Sequence, residues 1–296
     1  MKKLTAPYGA PASEHILNGS GITEAQLKKL FKDKCIRIDG VTHKKDTEVS
    51  EGSIIEIQFE ELRPDLIDRP TVVYEDENLL ILNKPRGVSC EYTEKDVPST
   101  LRFADERMKT AGEYNADILA IAYPATVIDP TTGGLVIVAK DEKVYSCIAE
   151  AVRQRRIRRF FTAITKKPPM HLGELRGYML TNKKTGAVKL SGKAGNMSQP
   201  VMTRLSVKES YDELALIEAE PLTNKPHQVR AMLAHCGAAV LGDTLFGDAA
   251  INKKYGVWQE ALWLTKITFL VGENSMLSYL NNKSFECEAV MPYIEY

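Results

Sequence analysis

Residues 123–140, YPATVIDPTTGGLVIVAK, place a carboxylate in a turn immediately before a strongly apolar run. Residues 135–139 are predicted to form a buried strand. Gly133 and Gly134 permit backbone torsions and close approaches that larger residues resist. Because a loop held against a buried strand can fix a side chain rigidly, Asp129 is a candidate catalytic residue beside a cleft. An ordinary Asp-Pro turn is the alternative interpretation.

Apolar runs on both sides of this stretch predict more strands than helices. Strands are expected at residues 71–74, 79–82, 160–164, 201–207, 214–219 and 267–271. Apolar stripes at helical spacing predict helices over residues 142–155 and 226–236. Consecutive strands favour an α+β class, with a largely antiparallel mixed β-sheet flanked by a few helices.

Residues 21–59 predict a separate small α/β unit. A helix begins near Thr23, and a strand over residues 36–38 turns at Asp39 and Gly40. An alternating strand follows over residues 54–59. Residues 61–70 are charged and contain prolines, which is typical of a linker. The predicted division is residues 1–60 for the small unit, 61–70 for the linker and 71–296 for the larger domain.

The 296 residues include 39 basic and 39 acidic side chains, so the net charge is zero and gives no argument for a polyanion partner. Only a local cluster of basic residues could bind one. The small unit carries such a cluster, which predicts a cationic face, although a solvated surface is the alternative. The basic residues of this cluster that could contact the phosphates of a polyanion are Lys28, Lys29, Lys32 and Arg37.

Several classes of protein are not favoured by the sequence. Five cysteines are odd in number and form no C-x-x-C pair, so reduced thiols are expected rather than a zinc site or a disulfide framework. No secretory signal and no run of about 20 apolar residues is visible. We expect a cytoplasmic monomer that binds no metal and does not associate with membranes.

The stretch TVIDPTTGGL at residues 126–135 resembles the H-R-L-D-x-x-T-S-G-L motif of the RluA-like pseudouridine synthases. Further family motifs appear in order: NKPRG at residues 83–87, and LTNKPHQVRAMLAHCGAAVLGDTLFGD at residues 222–248. The resemblance extends over about residues 72–292. It implies isomerisation of uridine in structured RNA, ribosomal or transfer RNA, without a cofactor. The small N-terminal unit resembles the αL-type RNA-binding module.

The resemblance assigns roles to particular residues. Asp129 would act at the sugar as a nucleophile or as a base, and Arg230 would keep it ionised and oriented. Phe161, in RFFTA at residues 159–163, replaces the usual tyrosine of K-x-Y-x-A. Its ring could stack on the target base or simply fill the core. His227 could face RNA or the Asp129 loop, or serve as a packing residue.

A basic run precedes Phe161 and is interpreted as a phosphate contact, with a solvated helix end as the alternative. Its candidate RNA-binding residues are Arg155, Arg156 and Arg159.

Together with Phe161, two further departures from the family pattern indicate a divergent member. Thr126 and Val127 replace the family's His-Arg, and Asn224 and Lys225 stand where Gly-Arg is common. An RNA-binding or ribosome-assembly factor on an inactive synthase scaffold is therefore the second functional hypothesis.

Overall fold

The computed structural model describes residues 2–20, 24–32, 34–57, 69–93, 98–181, 188–211, 213–257 and 259–291. The predicted linker at residues 61–70 lies mostly outside these ranges, so its boundaries remain a prediction.

The N-terminal residues form a small sheet with its own hydrophobic core. Its strands pair in the order β1-β6-β3-β4, while β2 pairs with β5. Asp39 and Gly40 both have positive φ, +48° and +82°, as the tight turn between β3 and β4 requires. The elements are β1 (Lys2–Thr5), β2 (Ala10–Pro11), α1 (Ala12–Ser20), α2 (Glu24–Lys32), β3 (Ile36–Ile38), β4 (Val41–His43), β5 (Glu48–Val49) and β6 (Ile54–Ile57).

The rest of the described chain is built on one large sheet, whose main path runs β13-β12-β14-β15-β11-β16-β10-β8-β7. β9 and β17 pair with β10 and β16. The described pairs are antiparallel except β10 with β16. The strands are β7 (Thr71–Glu75), β8 (Leu79–Lys84), β9 (Tyr123–Pro124), β10 (Gly133–Ala139), β11 (Ile157–Thr165), β12 (Gly173–Thr181), β13 (Val188–Ser191), β14 (Gln199–Tyr211), β15 (Leu214–Pro221), β16 (Leu262–Phe269) and β17 (Ser284–Glu286).

The described helices of this part are few. α4 shows why they form: the Asp141 side chain caps its first turn, and Val144, Ile148 and Ala151 bury one stripe against the sheet. The predicted combination of a large mixed sheet with few helices is confirmed. The helices are α3 (Thr100–Ala111), α4 (Glu142–Arg153), α5 (Gln228–His235) and α6 (Ala249–Lys254).

Two helix predictions needed correction at their ends. α4 ends at Arg153 rather than Arg155, because Arg155 takes a left-handed φ of +60°. α5 begins at Gln228 rather than at residue 226, because His227 has φ +56°. His227 therefore precedes α5, whereas the sequence predicted that it lies on the helix. None of the described helices is both long and apolar enough to cross a bilayer.

Candidate active site

The turn that carries Asp129 is fixed by close packing at the start of β10. The Thr132 N–H donates to the Asp129 carbonyl oxygen at 3.0 Å. Gly134 has φ +115°, and a Cβ atom there would lie 2.3 Å from the carbonyl oxygen of Leu264 in β16. Only glycine fits, because β10 and β16 meet here as a parallel pair. Asp129 therefore projects from a turn whose following strand cannot shift.

A second anchor for this turn is Lys84, at the end of β8. Its fully buried ammonium donates to the carbonyl oxygens of Pro85 at 3.1 Å, Val88 at 2.8 Å and Pro130 at 3.2 Å. Burial lowers the pKa of Lys84 to about 8. The Gly87 N–H also donates to Pro130, at 2.8 Å. The NKPRG segment thus holds the residue that follows Asp129.

Arg230, from α5, reaches Asp129 and organises the site. Its Nη1 donates to Asp129 Oδ2 at 2.9 Å. Its Nε and Nη2 make a two-pronged contact with Asp243, at 2.8 and 2.7 Å. The predicted partners Asp129 and Arg230 are therefore in direct contact, and the fork of the guanidinium is oriented by a second carboxylate.

Glu260 is a residue of this site that the sequence reasoning missed. Its carboxylate lies 3.0 Å from Arg230 Nε and accepts hydrogen bonds from Thr131 at 2.9 Å and Thr132 at 2.5 Å. It therefore ties the turn of Asp129 to the arginine that Asp129 contacts. The available signal was an acid beside the apolar run that becomes β16. Asp243 could have been found inside the GDTLFGD segment.

The pKa values of Asp129 and Glu260 shift in opposite directions. Burial would raise the pKa of Asp129, but the hydrogen bond and charge of His227, and those of Arg230, lower it overall. Burial raises the pKa of Glu260, which Arg230 and Thr132 only partly offset. Asp129 is therefore the carboxylate held ionised, and its side chain keeps 19% of its surface accessible.

His227 contacts the acid directly. Its Nδ1 lies 2.7 Å from Asp129 Oδ2. The hydrogen bond to Asp129 raises the pKa of His227. Of the alternatives considered for this residue, the structure brings it to the Asp129 loop, from the residue before α5 and not from the helix itself.

Phe161 is a strand residue with little exposure. Only 7% of its surface is accessible, and it pairs with Ala219 of β15 and Leu264 of β16. It belongs to the large hydrophobic core.

The basic run before Phe161 does not share one surface. Arg155 and Arg156 are exposed ahead of β11. Alternation along β11 then sends its next two arginines to opposite faces. Arg158 pairs with Glu220, its Nε 2.6 Å from Oε1, whereas Arg159 is buried and donates to Asn224 Oδ1 at 2.9 Å.

The N-terminal candidates are partly separated as well. Lys28 and Lys32 are exposed on α2, one helical turn apart. Arg37 is half-buried in β3 between Thr42 and Glu56. The side chain of Lys29 lies outside the described residues.

A metal centre finds no support in the described part of the chain, where no three His, Cys, Asp or Glu side chains cluster as ligands. The five cysteines are all free thiols, three of them buried.

Comparison with known proteins identifies the family. The family model described as RNA pseudouridylate synthase matches residues 78–235, just over half of the chain. The ribosomal large subunit pseudouridine synthase C of Haemophilus ducreyi is 27% identical over 184 residues, which are 62% of this chain and 55% of that protein. Its counterpart from Vibrio vulnificus is 27% identical over 228 residues, 74% of this chain and 64% of that protein. The chain thus spans little more than half the length of the first of these relatives.

A solved structure supports the same fold. Human RNA pseudouridylate synthase domain containing 4 superimposes with a TM-score of 0.58 over 75% of this chain and 88% of that one, at 19% identity. The resemblance predicted from the motifs around Asp129 and Arg230 is confirmed at the level of the family. The chain belongs to the RNA pseudouridylate synthase family, as a divergent RluA-like member.

Proposed function

We propose that this protein isomerises uridine to pseudouridine in structured RNA, with Asp129 as the catalytic carboxylate and Arg230 as its partner. The observation that carries the proposal is the 2.9 Å contact between Arg230 Nη1 and Asp129 Oδ2, beside a carboxylate that is held ionised and partly accessible. Binding RNA requires no such buried pair. The names of the relatives favour ribosomal RNA as the substrate.

The reaction breaks the bond between the sugar and the base nitrogen and forms a new bond from the sugar to a base carbon. The hydrogen on that carbon then leaves as a proton. Asp129 could bond to the cationic anomeric carbon, or it could remove a sugar proton. Arg230 favours the charged carboxylate in either role. Phe161 has no hydroxyl, so it could stack on a base but could not accept the proton.

The surface that would bind RNA is part of the same proposal. Exposed Lys28 and Lys32, together with Lys29 and Arg37, would bind phosphates through an αL-type module over residues 1–60. Exposed Arg155 and Arg156, ahead of β11, would add further phosphate contacts. Val127, where the family has arginine, is 49% exposed and would lie against the nucleotide as an apolar group.

The test uses cellular RNA from a strain that lacks the gene, labelled with tritium at carbon 5 of uridine. The wild-type protein should release tritium. Asp129→Asn should slow release by at least about 10³-fold while RNA affinity stays within a few-fold, because one carboxamide barely changes the cationic surface. Asp117→Asn, at an exposed acid, is the matched control and should retain full activity.

The departures at Val127 and Phe161 favour one alternative, an RNA-binding or ribosome-assembly factor on an inactive scaffold. RNA binding without tritium release from the wild-type protein would select that alternative. Full activity in the Asp129→Asn protein would reject the catalytic assignment.

A further inference from the structure

Arg159 is a buried cation without an acidic partner. Only 6% of its surface is accessible, yet the described residues provide it with no ion pair. Its Nε is buried and has no hydrogen-bond partner. Burial lowers its pKa to about 10, with no neighbouring charge to offset the effect, so it is still protonated at neutral pH. Buried charges in proteins are normally paired, and an unpaired one costs several kcal/mol.

Glu220, on the neighbouring strand β15, is already engaged on the other face of the sheet. Glu220 accepts from Arg158 Nε at 2.6 Å and Nη2 at 2.9 Å, and from Arg204 Nη1 at 2.7 Å. β11 alternates, so Arg159 points away from this network and shares its face with Phe161. No acid of the described residues therefore neutralises the charge of Arg159, and an anion from outside the chain could do so.

Among the described residues, the Arg159 side chain makes one hydrogen bond, to the loop before α5. Its Nη1 donates to Asn224 Oδ1 at 2.9 Å. Asn224 is exposed and belongs to the loop between β15 and α5, the loop whose last residue is His227. His227 in turn contacts Asp129. The buried Arg159 guanidinium is thus joined by a hydrogen bond to an exposed amide, in the loop that also carries His227.

We propose that Arg159 and Asn224 form a phosphate subsite that holds a phosphodiester of the RNA strand carrying the target uridine. The proposal deepens the proposed function and rests on it for the identity of the strand. A guanidinium matches two phosphate oxygens with parallel N–H donors, and the Asn224 amide supplies a further donor at the entrance. One phosphate would supply the missing counter-charge and the missing acceptor together.

Asn224→Asp gives the sharpest test, because it places a carboxylate of the chain where the phosphate would bind. Asn224 is exposed, so the variant should fold. Its new carboxylate should pair with Arg159 and repel phosphate. Binding of a fluorescein-labelled decauridylate, followed by fluorescence anisotropy, should weaken about tenfold. Asn196→Asp, at an exposed residue of the loop between β13 and β14, makes the same charge change and should alter affinity by less than about twofold.

Arg159→Met adds a second measurement, the melting temperature of the free protein, which distinguishes a phosphate-binding role from a structural one. Removal of an unpaired buried charge should leave the melting temperature of the free protein unchanged or higher, whereas loss of a structural anchor would lower it. The variant should bind decauridylate about tenfold more weakly, and its salt dependence should be flatter by about 0.7 in log–log slope. Arg153→Met, at an exposed arginine of α4 paired with Glu150, is the control.

The phosphate group that binds this subsite could belong to RNA or to a free phosphate-bearing ligand. A test with inorganic phosphate distinguishes the two. Inorganic phosphate should raise the melting temperature of the wild-type protein above that in chloride of equal ionic strength, and the rise should vanish in Asn224→Asp. If the substitutions abolish this rise but leave decauridylate binding unchanged, the subsite serves a free phosphate-bearing ligand and the RNA assignment is wrong. The RNA assignment would also be overturned if the Asn224→Asp and Asn196→Asp proteins bound decauridylate equally well. None of these measurements needs turnover, so failure of the isomerase assay is a separate result.

Discussion

At the scale of single residues, Arg230 meets three carboxylates with one positive charge. Asp129 and Asp243 accept hydrogen bonds from it, and Glu260 lies 3.0 Å from its Nε. Burial raises the pKa of Glu260, whereas His227 and Arg230 lower the pKa of Asp129, so Asp129 is held ionised. Asp243 and Glu260 thus orient the arginine that contacts Asp129, the proposed catalytic carboxylate.

Glu260→Ala should destabilise the protein far more than Glu260→Gln. Alanine removes the acceptor of Thr131 and Thr132 and leaves a cavity beside Arg230, which should cost about 2–4 kcal/mol. Glutamine keeps the size and an acceptor oxygen, and should cost less than about 1.5 kcal/mol. Urea denaturation measures both values. Similar unfolding free energies for the two variants would show that Glu260 does not hold the turn.

His227 should make stability depend on pH. Its folded-state pKa is raised above 6.5 by the hydrogen bond to Asp129, so its contribution is fully present below about pH 6.5. The contribution is lost as pH rises through the raised value. Asp129 stays ionised throughout this range because its own pKa is lowered.

The corresponding measurement compares melting temperatures of the wild type and His227→Asn between pH 5.5 and pH 9. The wild-type advantage should be largest at the acid end and shrink as pH rises. A difference that stays constant over the range would mean that the contact does not depend on the charged imidazole.

At the scale of elements, the start of β10 depends on glycine. A Cβ atom at Gly134 would lie 2.3 Å from the Leu264 carbonyl oxygen, on a residue with φ +115°. Gly134→Ala should therefore cost at least about 2 kcal/mol and should displace the turn of Asp129, which lowers tritium release. Gly192→Ala is the control, since nothing lies within 4 Å of its added Cβ atom, and it should change stability by less than about 0.5 kcal/mol. Equal unfolding free energies for the two variants would contradict the packing argument.

An element could be predicted when the sequence pattern that indicates it lies within a few residues. β10, β11 and β15 were predicted because their apolar runs are visible within a few residues. α3 was missed, although Ser99 caps it and Leu101, Ala104 and Met108 form its buried stripe. The left-handed φ of His227 depends on its contact with the distant Asp129, so no local pattern could show that α5 starts after it.

The candidate site could likewise be predicted only where a sequence motif indicated it. The motifs around Asp129 and Arg230 predicted their contact, because family motifs carry information about distant pairs. Nothing in the basic run indicated that Arg159 would be buried. Its burial depends on the register of β11 against β16, which pairs Arg159 with Ile267.

At the scale of the whole molecule, zero net charge means that RNA binding must come from where the charges lie. The two arms of the proposed surface are the exposed lysines of α2 and the arginines around the start of β11. In α2, Leu27, Leu30 and Phe31 are buried, which turns Lys28 and Lys32 outward on one face. Such exposed lysines gain affinity by displacing counterions and read no sequence.

Lys28→Ala combined with Lys32→Ala should therefore weaken binding of a labelled stem-loop RNA to a similar degree whatever its sequence. The log–log slope of affinity against salt should fall by about one per lysine, because each lost phosphate contact releases fewer counterions. Melting temperature should hardly change, since both side chains are exposed. Lys283→Ala, at an exposed lysine near β17, should leave the slope as it is in the wild type. If the double variant keeps the wild-type slope, the N-terminal unit does not contact RNA phosphates through α2, and the arginines of the larger part carry the binding alone.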